Sequence, residues 1–302
     1  MIKIKIYIFI FLWLQAFSYI FLCSEVKKVN VTGVKPYNEN ELWEELKDFN
    51  PKEEKPIVVI IPSFNNKDWY KNNIDSVLVQ KYKNYHVIYI DDASPDGTGA
   101  LVDKYIKEKK LEDKITLIKN KKRLLAMENL YNAIHSCDDR VIIATLDGDD
   151  WLNTDHVFSL LNKIYSDQDV WITYGQFKRY PKPSGYFCKP FPENVIKSRS
   201  FRKYKWVSSQ LRTFYCWLFK KIKKEDFLYK GSFFPMAWDL AFMFPMLEMA
   251  GHRVKFIPDV IYIYNKATQI SDFTLNRPLQ LFLEGIIRKR PIYPLIKEEP
   301  KL

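Results

Sequence analysis

From Pro56 onward, short apolar runs alternate with stretches whose apolar residues fall at helical spacing. Ile57 to Pro62 (IVVIIP) is β-branched, too short for a helix, and predicts a strand. Trp69 to Gln80 puts Ile74, Val77 and Leu78 on one helical face. The alternation continues with a strand at His86 to Asp91, a helix at Ala100 to Lys109 and a strand at Ile115 to Lys119. A helix at Leu124 to Ser136, a strand at Val141 to Leu146, a helix at Asp155 to Tyr165 and a strand at Val170 to Tyr174 complete it. Five strands linked by four helices predict an α/β fold with a mainly parallel central sheet, flanked by helices on both faces. After Tyr174 the rhythm breaks. Gln176 to Ser200 holds four prolines and reads as loop, an apolar stretch runs from Gly231 to Leu247, and a last strand is expected at Val254 to Tyr264.

The first residues differ from the rest. Two lysines precede an apolar run from Ile6 to Leu22, and seventeen residues of helix span roughly 26 Å, slightly short of a hydrocarbon core of about 30 Å. Residues 1–24 therefore read as a signal peptide or short signal-anchor, with cleavage near Ser24 slightly favoured. A polar linker, 25–55, follows, with a glycosylation triplet at Asn30-Val31-Thr32. Either reading places the chain in a secretory lumen or at a membrane.

Composition narrows the class. The 302 residues are 47% hydrophobic and 16% aromatic, which excludes a disordered or low-complexity chain. Four cysteines make no disulfide scaffold, and the four histidines form no metal-ligand spacing. The net charge of +11 is local: residues 197–224 carry ten basic residues and no acidic one. Leu211, Phe214, Tyr215, Leu218 and Ile222 fall at helical spacing within it, predicting an amphipathic basic helix. Such a helix rests on an anionic membrane surface, draws in a polyanionic acceptor, or is an ordinary surface helix. Nucleic-acid binding is not expected, since no recognised module accompanies the charge.

In an open parallel sheet, ligands bind beyond the carboxyl ends of the strands. There the sequence places Pro62-Ser63-Phe64-Asn65, Asp91-Asp92 and Asp147-Gly148-Asp149-Asp150. Five carboxylates along one edge repel, each raising the others' pKa, and need a cation or a set of donors. All-oxygen ligands favour Mg2+ or Mn2+. Asp-Gly is also a turn pair, but Asn153 and Thr154 are better placed to cap the helix near Asp155, which leaves the carboxylates without a structural role. Asp92 could accept a hydrogen bond from a nucleobase or a ribose hydroxyl. Gly97-Thr98-Gly99 lacks the third glycine of a dinucleotide fingerprint. Asp239 is the only ionisable residue from Gly231 to Leu247; apolar surroundings raise a carboxylate's pKa and suit it to accept a substrate proton, although it could also serve as a helix cap.

The order and spacing of IVVIIPSFN, SVLVQKYKNYHVIYIDDASPDGT, Arg123 six residues before Asn129, and LDGDDWL resemble a family 2 glycosyltransferase, over about Pro56 to Ser271. The resemblance implies an inverting, nucleotide-sugar-dependent hexosyltransferase with the A-type glycosyltransferase fold: one Rossmann-like catalytic domain over 56–275, with a nucleotide-binding half (56–174) and an acceptor half (175–275), followed by a tail (276–302). It implies that Pro62, Ser63 and Phe64 line the nucleotide pocket, that Asp92 bonds the base and that Arg123 lies beside it. Asp147 and Asp149 would be the Asp-x-Asp pair, one near the ribose and one on the metal, and Asp239 matches the catalytic base. Trp238 stands where the family often has Glu and could stack on a sugar; by looser similarity Arg212 faces the active site. The signature Gln-x-x-Arg-Trp of processive synthases is absent, so single or few transfers are expected. The resulting expectation is a metal-dependent transfer from a nucleoside-diphosphate sugar, most simply a UDP-sugar, to a glycan, lipid or protein hydroxyl. The competing expectation is a non-catalytic membrane or polyanion binder that keeps the fold.

Overall fold

The computed structural model describes residues 46, 49, 53–184, 187–268 and 276–300. The expected signal or anchor segment, the sequon and nearly all of the linker lie outside the described residues. Among the described residues, no helix is long and apolar enough to cross a membrane.

The alternating half folds as its pattern predicts. Strand β1 (Ile57–Ser63) leads to helix α1 (Tyr70–Leu78), β2 (Tyr85–Asp91), α2 (Thr98–Lys109), β3 (Ile115–Lys119), α3 (Leu125–Ser136) and β4 (Ile142–Thr145). A two-residue strand β5 (Trp151–Leu152) and helix α4 (Val157–Tyr165) precede β6 (Ile172–Tyr180). β3, β2, β1 and β4 are parallel neighbours, as right-handed crossovers require. β1 and β4 are almost wholly buried, the pattern of strands covered on both faces.

The second half departs from expectation in three ways. The loop read at Gln176 to Ser200 is in part strand, because β6 runs on to Tyr180, and it holds a helix α5 (Glu193–Ser198). The basic amphipathic helix does not form. Arg212–Tyr215 is instead strand β7, inserted antiparallel between β4 and β6, and only Cys216–Lys220 (α6) is helical. Both faces of β7 are buried, so its apolar residues show no alternation, and their spacing passes for helical. Part of the charge of this stretch is also internal, while Lys203, Lys205, Lys221, Lys223 and Lys224 stay exposed. Arg202 pairs with Glu248, Arg212 with Asp239, Lys220 with Asp139 and Lys197 with Glu193, while Arg199 donates to the carbonyls of Glu248 and Tyr293.

After a small hairpin, β8 (Leu228–Tyr229) and β9 (Ser232–Phe233), helix α7 (Trp238–Ala250) is buried from Leu240 to its end, as its all-round apolar sequence requires. β10 (Val254–Asn265) then pairs parallel to β6 and antiparallel to β5, completing the order β3-β2-β1-β4-β7-β6-β10-β5. The stretch read as a tail contains helix α8 (Arg277–Arg288), which buries Leu283 and Ile287. The chain beyond it straps α7, with Ile296 N donating to Met249 O and Tyr293 N to Glu248 Oε2.

The bidentate Arg202–Glu248 pair, at 2.6 and 3.0 Å, anchors this strap, and Arg202 also donates to Ile287 O. Removing one partner leaves a buried charge uncompensated. Glu248→Ala is expected to lower unfolding free energy by about 3–5 kcal/mol in urea titration, and the apolar double variant Arg202→Met/Glu248→Leu by much less. Equal losses in the two would show that packing, not charge, holds the strap.

Candidate active site

The end of β1 organises its neighbours. Ser63 O accepts from Asp92 N (2.8 Å) and Pro62 O from Gly148 N (3.1 Å), which ties together the ends of β1, β2 and β4. Ser63 Oγ accepts from Tyr89 Oη (2.8 Å) and Asn66 Nδ2 (3.0 Å). A Cβ at position 148 would sit 2.7 Å from Ser63 Cβ, so only glycine lets the Asp147–Asp150 turn approach this closely.

Asp92 is 3% exposed, and its carboxylate accepts from Asn120 Nδ2, Leu124 N and Leu125 N, each at 2.8 Å. It therefore satisfies backbone donors at the start of α3, where Leu125 has a φ of 69°. A carboxylate has about four acceptor positions, so one remains for a ligand. The loop that Asp92 holds carries Arg123, whose guanidinium lies 3.8 Å from the centroid of the Phe64 ring. Pro62, Ser63, Phe64, Asp92 and Arg123 do converge: with Asn129 and Trp238 they line a hollow of about 110 Å³. A cavity of roughly 150 Å³ takes a benzene ring, so this one is on the scale of one small planar ring. Asn129 served in the sequence only as a spacing mark. Its Oδ1 accepts from Asn120 Nδ2 at 2.7 Å, and its own Nδ2 is buried without a partner.

The five carboxylates do not all line the rim. Asp91 faces Gly99 at the start of α2, where a Cβ would overlap it. Asp150 is 1% exposed and does serve the structure, accepting from Tyr262 Oη (2.6 Å) and Asn265 N (2.7 Å) and so joining the motif to the end of β10. Nor do Asn153 and Thr154 cap α4, whose N-cap is His156; Asn153 Nδ2 donates to Val260 O. Burial, more than like charge, raises the pKa of Asp91 and Asp150, and for Asp150 the charges of Asp149 and Asp147 add to it. Half-buried Asp147 and Asp149 are left at the rim, with Gln210 Nε2 donating to Asp147 Oδ2 at 2.7 Å. Among the described residues no cluster of three or more His, Cys, Asp or Glu could hold a metal. Two carboxylates whose charges act on one neighbour fit a hard ion that keeps waters and takes phosphate oxygens, such as Mg2+ or Mn2+. They do not fit a closed structural zinc site.

The third group stands on β7 and α7. Asp239, in the first turn of α7, is 2.8 Å from Arg212 Nη2, and its side chain keeps 19% exposure. Burial raises its pKa; the Arg212 charge and the N–H groups of Leu240 and Asp239 pull the other way. Arg212 also lies 5.7 Å from the Trp238 ring, and Trp238 is a wall of the hollow. The sequence-predicted trio Arg212, Trp238 and Asp239 is thus assembled by β7 and α7. Gln210 was missed, since nothing in its neighbourhood marks it in sequence.

A family model described as glycosyl transferase family 2 matches residues 58–227, more than half of the chain. Among curated relatives, glycosyltransferase GlyG of Streptococcus pneumoniae serotype 4 is 23% identical over 226 residues, 70% of each chain. The putative glycosyltransferase EpsE of Bacillus subtilis is 40% identical over 96 residues, 31% of this chain and 33% of that one. The chain spans a minor part of some relatives, such as 18% of GlyA of S. pneumoniae. Among solved structures, S. aureus TarS 1-349 in complex with UDP-GlcNAc superposes with a TM-score of 0.53 at 15% identity, covering 73% of this chain and 61% of that one. The mannosyltransferase PcManGT from Pyrobaculum calidifontis, in complex with GDP-Man and Mn2+, gives 0.53 at 19% identity, covering 85% and 69%. At these identities the likeness is one of fold.

Asp150 yields a stability test. Its folded pKa lies well above the ordinary 3.8, so its favourable contribution is complete below that value and is lost as pH rises through the raised pKa. Asp150→Asn removes the ionisation. Its stability is expected to fall less over that rise than the wild type's, as read by thermal unfolding across a pH series. Parallel curves for the two proteins would mean that Asp150 does not titrate as described.

Proposed function

Because the chain belongs to glycosyl transferase family 2, we propose that it transfers one sugar from a UDP-linked donor to an acceptor hydroxyl with inversion at the anomeric carbon. One observation carries the reading: Trp238 is a wall of the base-sized hollow, and the next residue, Asp239, is the partly exposed carboxylate. Nucleotide recognition and proton removal are thereby joined at the first turn of one helix.

The hollow suits uracil. Its volume is that of a small ring, the Asn129 Nδ2 donor is unpartnered, and Asp92 keeps one acceptor position. Uracil presents a carbonyl beside an N–H, which is the complementary pair. Phe64, with Arg123 over its ring, adds an apolar wall. The TarS complex with UDP-GlcNAc is consistent with this choice.

Asp147 and Asp149 would hold the divalent ion, Mn2+ or Mg2+, which neutralises the diphosphate leaving group when bound. The remaining chemistry belongs to side chains of the chain. Asp239 takes the proton of the acceptor hydroxyl as that oxygen attacks from the face opposite the diphosphate. Burial strengthens its hold on the proton, and the Arg212 charge opposes that effect. The acceptor is a glycan, lipid or protein hydroxyl, and the apolar N-terminal run supports a secretory or membrane-associated setting. The rival reading of a non-catalytic polyanion binder is weakened by the family match and by Arg202 and Arg212, which are buried against carboxylates.

Asp239→Asn is expected to lower transfer about 10²–10⁴-fold while UDP affinity stays within twofold. Transfer at wild-type rate in that variant would remove the base. The raised pKa places the acid limb of the kcat/KM profile above the ordinary 3.8, with activity rising as pH passes through it. A limb at or below 3.8 counts against Asp239. Chelation with EDTA is expected to abolish donor turnover, with Mn2+ restoring it; full turnover after exhaustive chelation would exclude a metal at Asp147 and Asp149.

A further inference from the structure

Gln210 and Arg212 are each bound to a site carboxylate at one end and unpartnered at the other. Gln210 is 2% exposed; its Nε2 donates to Asp147 Oδ2 at 2.7 Å, while its Oε1 is buried with no hydrogen-bond partner. The carboxylate fixes which way the amide points, because only the nitrogen end can donate to it. Arg212 is 4% exposed; its Nη2 donates to Asp239 Oδ2 at 2.8 Å, while Nε and Nη1 are buried with no partner. Each such orphan is destabilising unless a ligand or water completes it.

We propose that Gln210 Oε1 and Arg212 Nε and Nη1 form the subsite that takes the hydroxyl groups of the transferred sugar. The inference rests on the glycosyl-transfer reading above. In that reading the anomeric carbon must lie between the diphosphate, held from Asp147 and Asp149, and the base Asp239. Gln210 touches the first of these ends and Arg212 the second, so both side chains stand beside the gap that the sugar ring must cross. Charge selects the ligand class. The guanidinium is already balanced by Asp239, and an amide oxygen repels anions, so the pair suits a neutral group rather than a phosphate. A sugar hydroxyl both accepts and donates: it can accept from Arg212 and donate to Gln210, and a vicinal pair can engage both. Side chains that read hydroxyls at this place would set which sugar is transferred.

The test separates sugar recognition from nucleotide binding. The full chain is titrated with UDP and with UDP-glucose, UDP-galactose, UDP-GlcNAc and GDP-mannose, with Mn2+ present. The best sugar nucleotide is then repeated as its ring-deoxy analogues. In the wild type, removal of at least one ring hydroxyl is expected to weaken binding about tenfold. Arg212→Lys keeps a cation for Asp239 but loses the planar fork. It should bind UDP within about twofold of wild type and should no longer distinguish that deoxy analogue from its parent. Gln210→Leu should likewise lose discrimination at one hydroxyl. A wild type indifferent to every deoxy analogue overturns the subsite whether or not the variants fold. So does an Arg212→Lys protein that retains the full discrimination, or one that weakens UDP and sugar nucleotides alike. A wild type that binds none of the nucleotides overturns the glycosyl-transfer reading itself.

Discussion

Asp150 accepts the hydroxyl of Tyr262 and the backbone N–H of Asn265 while almost completely buried, and those two bonds hold the carboxylate turn to the far end of β10. The turn is held from its other side by Asn73 of α1, whose Nδ2 donates to the carbonyls of Asp147 and Asp150 at 2.9 and 2.7 Å. A four-residue loop with one glycine is thus pinned at its back, which leaves Asp147 and Asp149 to face the rim. The cost is that like charges lie close together, and Asp150 takes part of that cost as a strengthened hold on its proton. A divalent ion at the front and donors at the back are complementary ways of relieving the same repulsion.

The same logic of held-then-offered groups recurs along the sheet edge. Asp92 binds the first N–H groups of α3 and so places Arg123 over Phe64; a small movement of Asp92 would displace that wall of the hollow. Arg212 on β7 holds Asp239 on α7. α7 itself is held from behind by the Arg202–Glu248 pair and the C-terminal strap. Each group that would touch substrate is positioned by a partner from a different element, which is how a preorganised site avoids reorganisation during reaction.

Much of this was legible in the sequence, and the failures share a cause. β1 to β4 and their helices were readable because each strand is a short apolar run and each helix has one apolar face. Pro62, Ser63, Phe64, Asp92 and Arg123 could be grouped from the sequence because motif order and strand ends coincide, and they line one hollow. β7 was not readable, because a central strand buried on both faces loses its period of two. Asp150 could not be told from Asp147 and Asp149, since its partners lie 112 and 115 residues away and only the fold brings them together. The ten basic residues suggested a surface because charges are normally solvated, yet Arg202 and Arg212 are buried with carboxylates from α7. Local pattern reports local structure; pairing across the sheet is invisible to it.

The Arg212–Asp239 contact bears most directly on catalysis, because the two influences on this carboxylate oppose each other. Burial alone would favour the protonated acid, and a protonated Asp239 could not accept the acceptor's proton. A full counter-charge in water would leave the carboxylate ionised but too weak a base to help. Here the guanidinium touches one oxygen, Oδ2, through one nitrogen, and the side chain stays partly open. Desolvation remains the larger influence and the guanidinium opposes it, so the carboxylate keeps a raised affinity for a proton. That balance requires Arg212 to be present but not fully engaged, and the unpartnered Nε and Nη1 are the structural mark of that partial engagement. Under the proposed function, the same incompleteness that tunes Asp239 leaves donors for a neutral substrate, which would couple proton affinity and sugar recognition through one guanidinium.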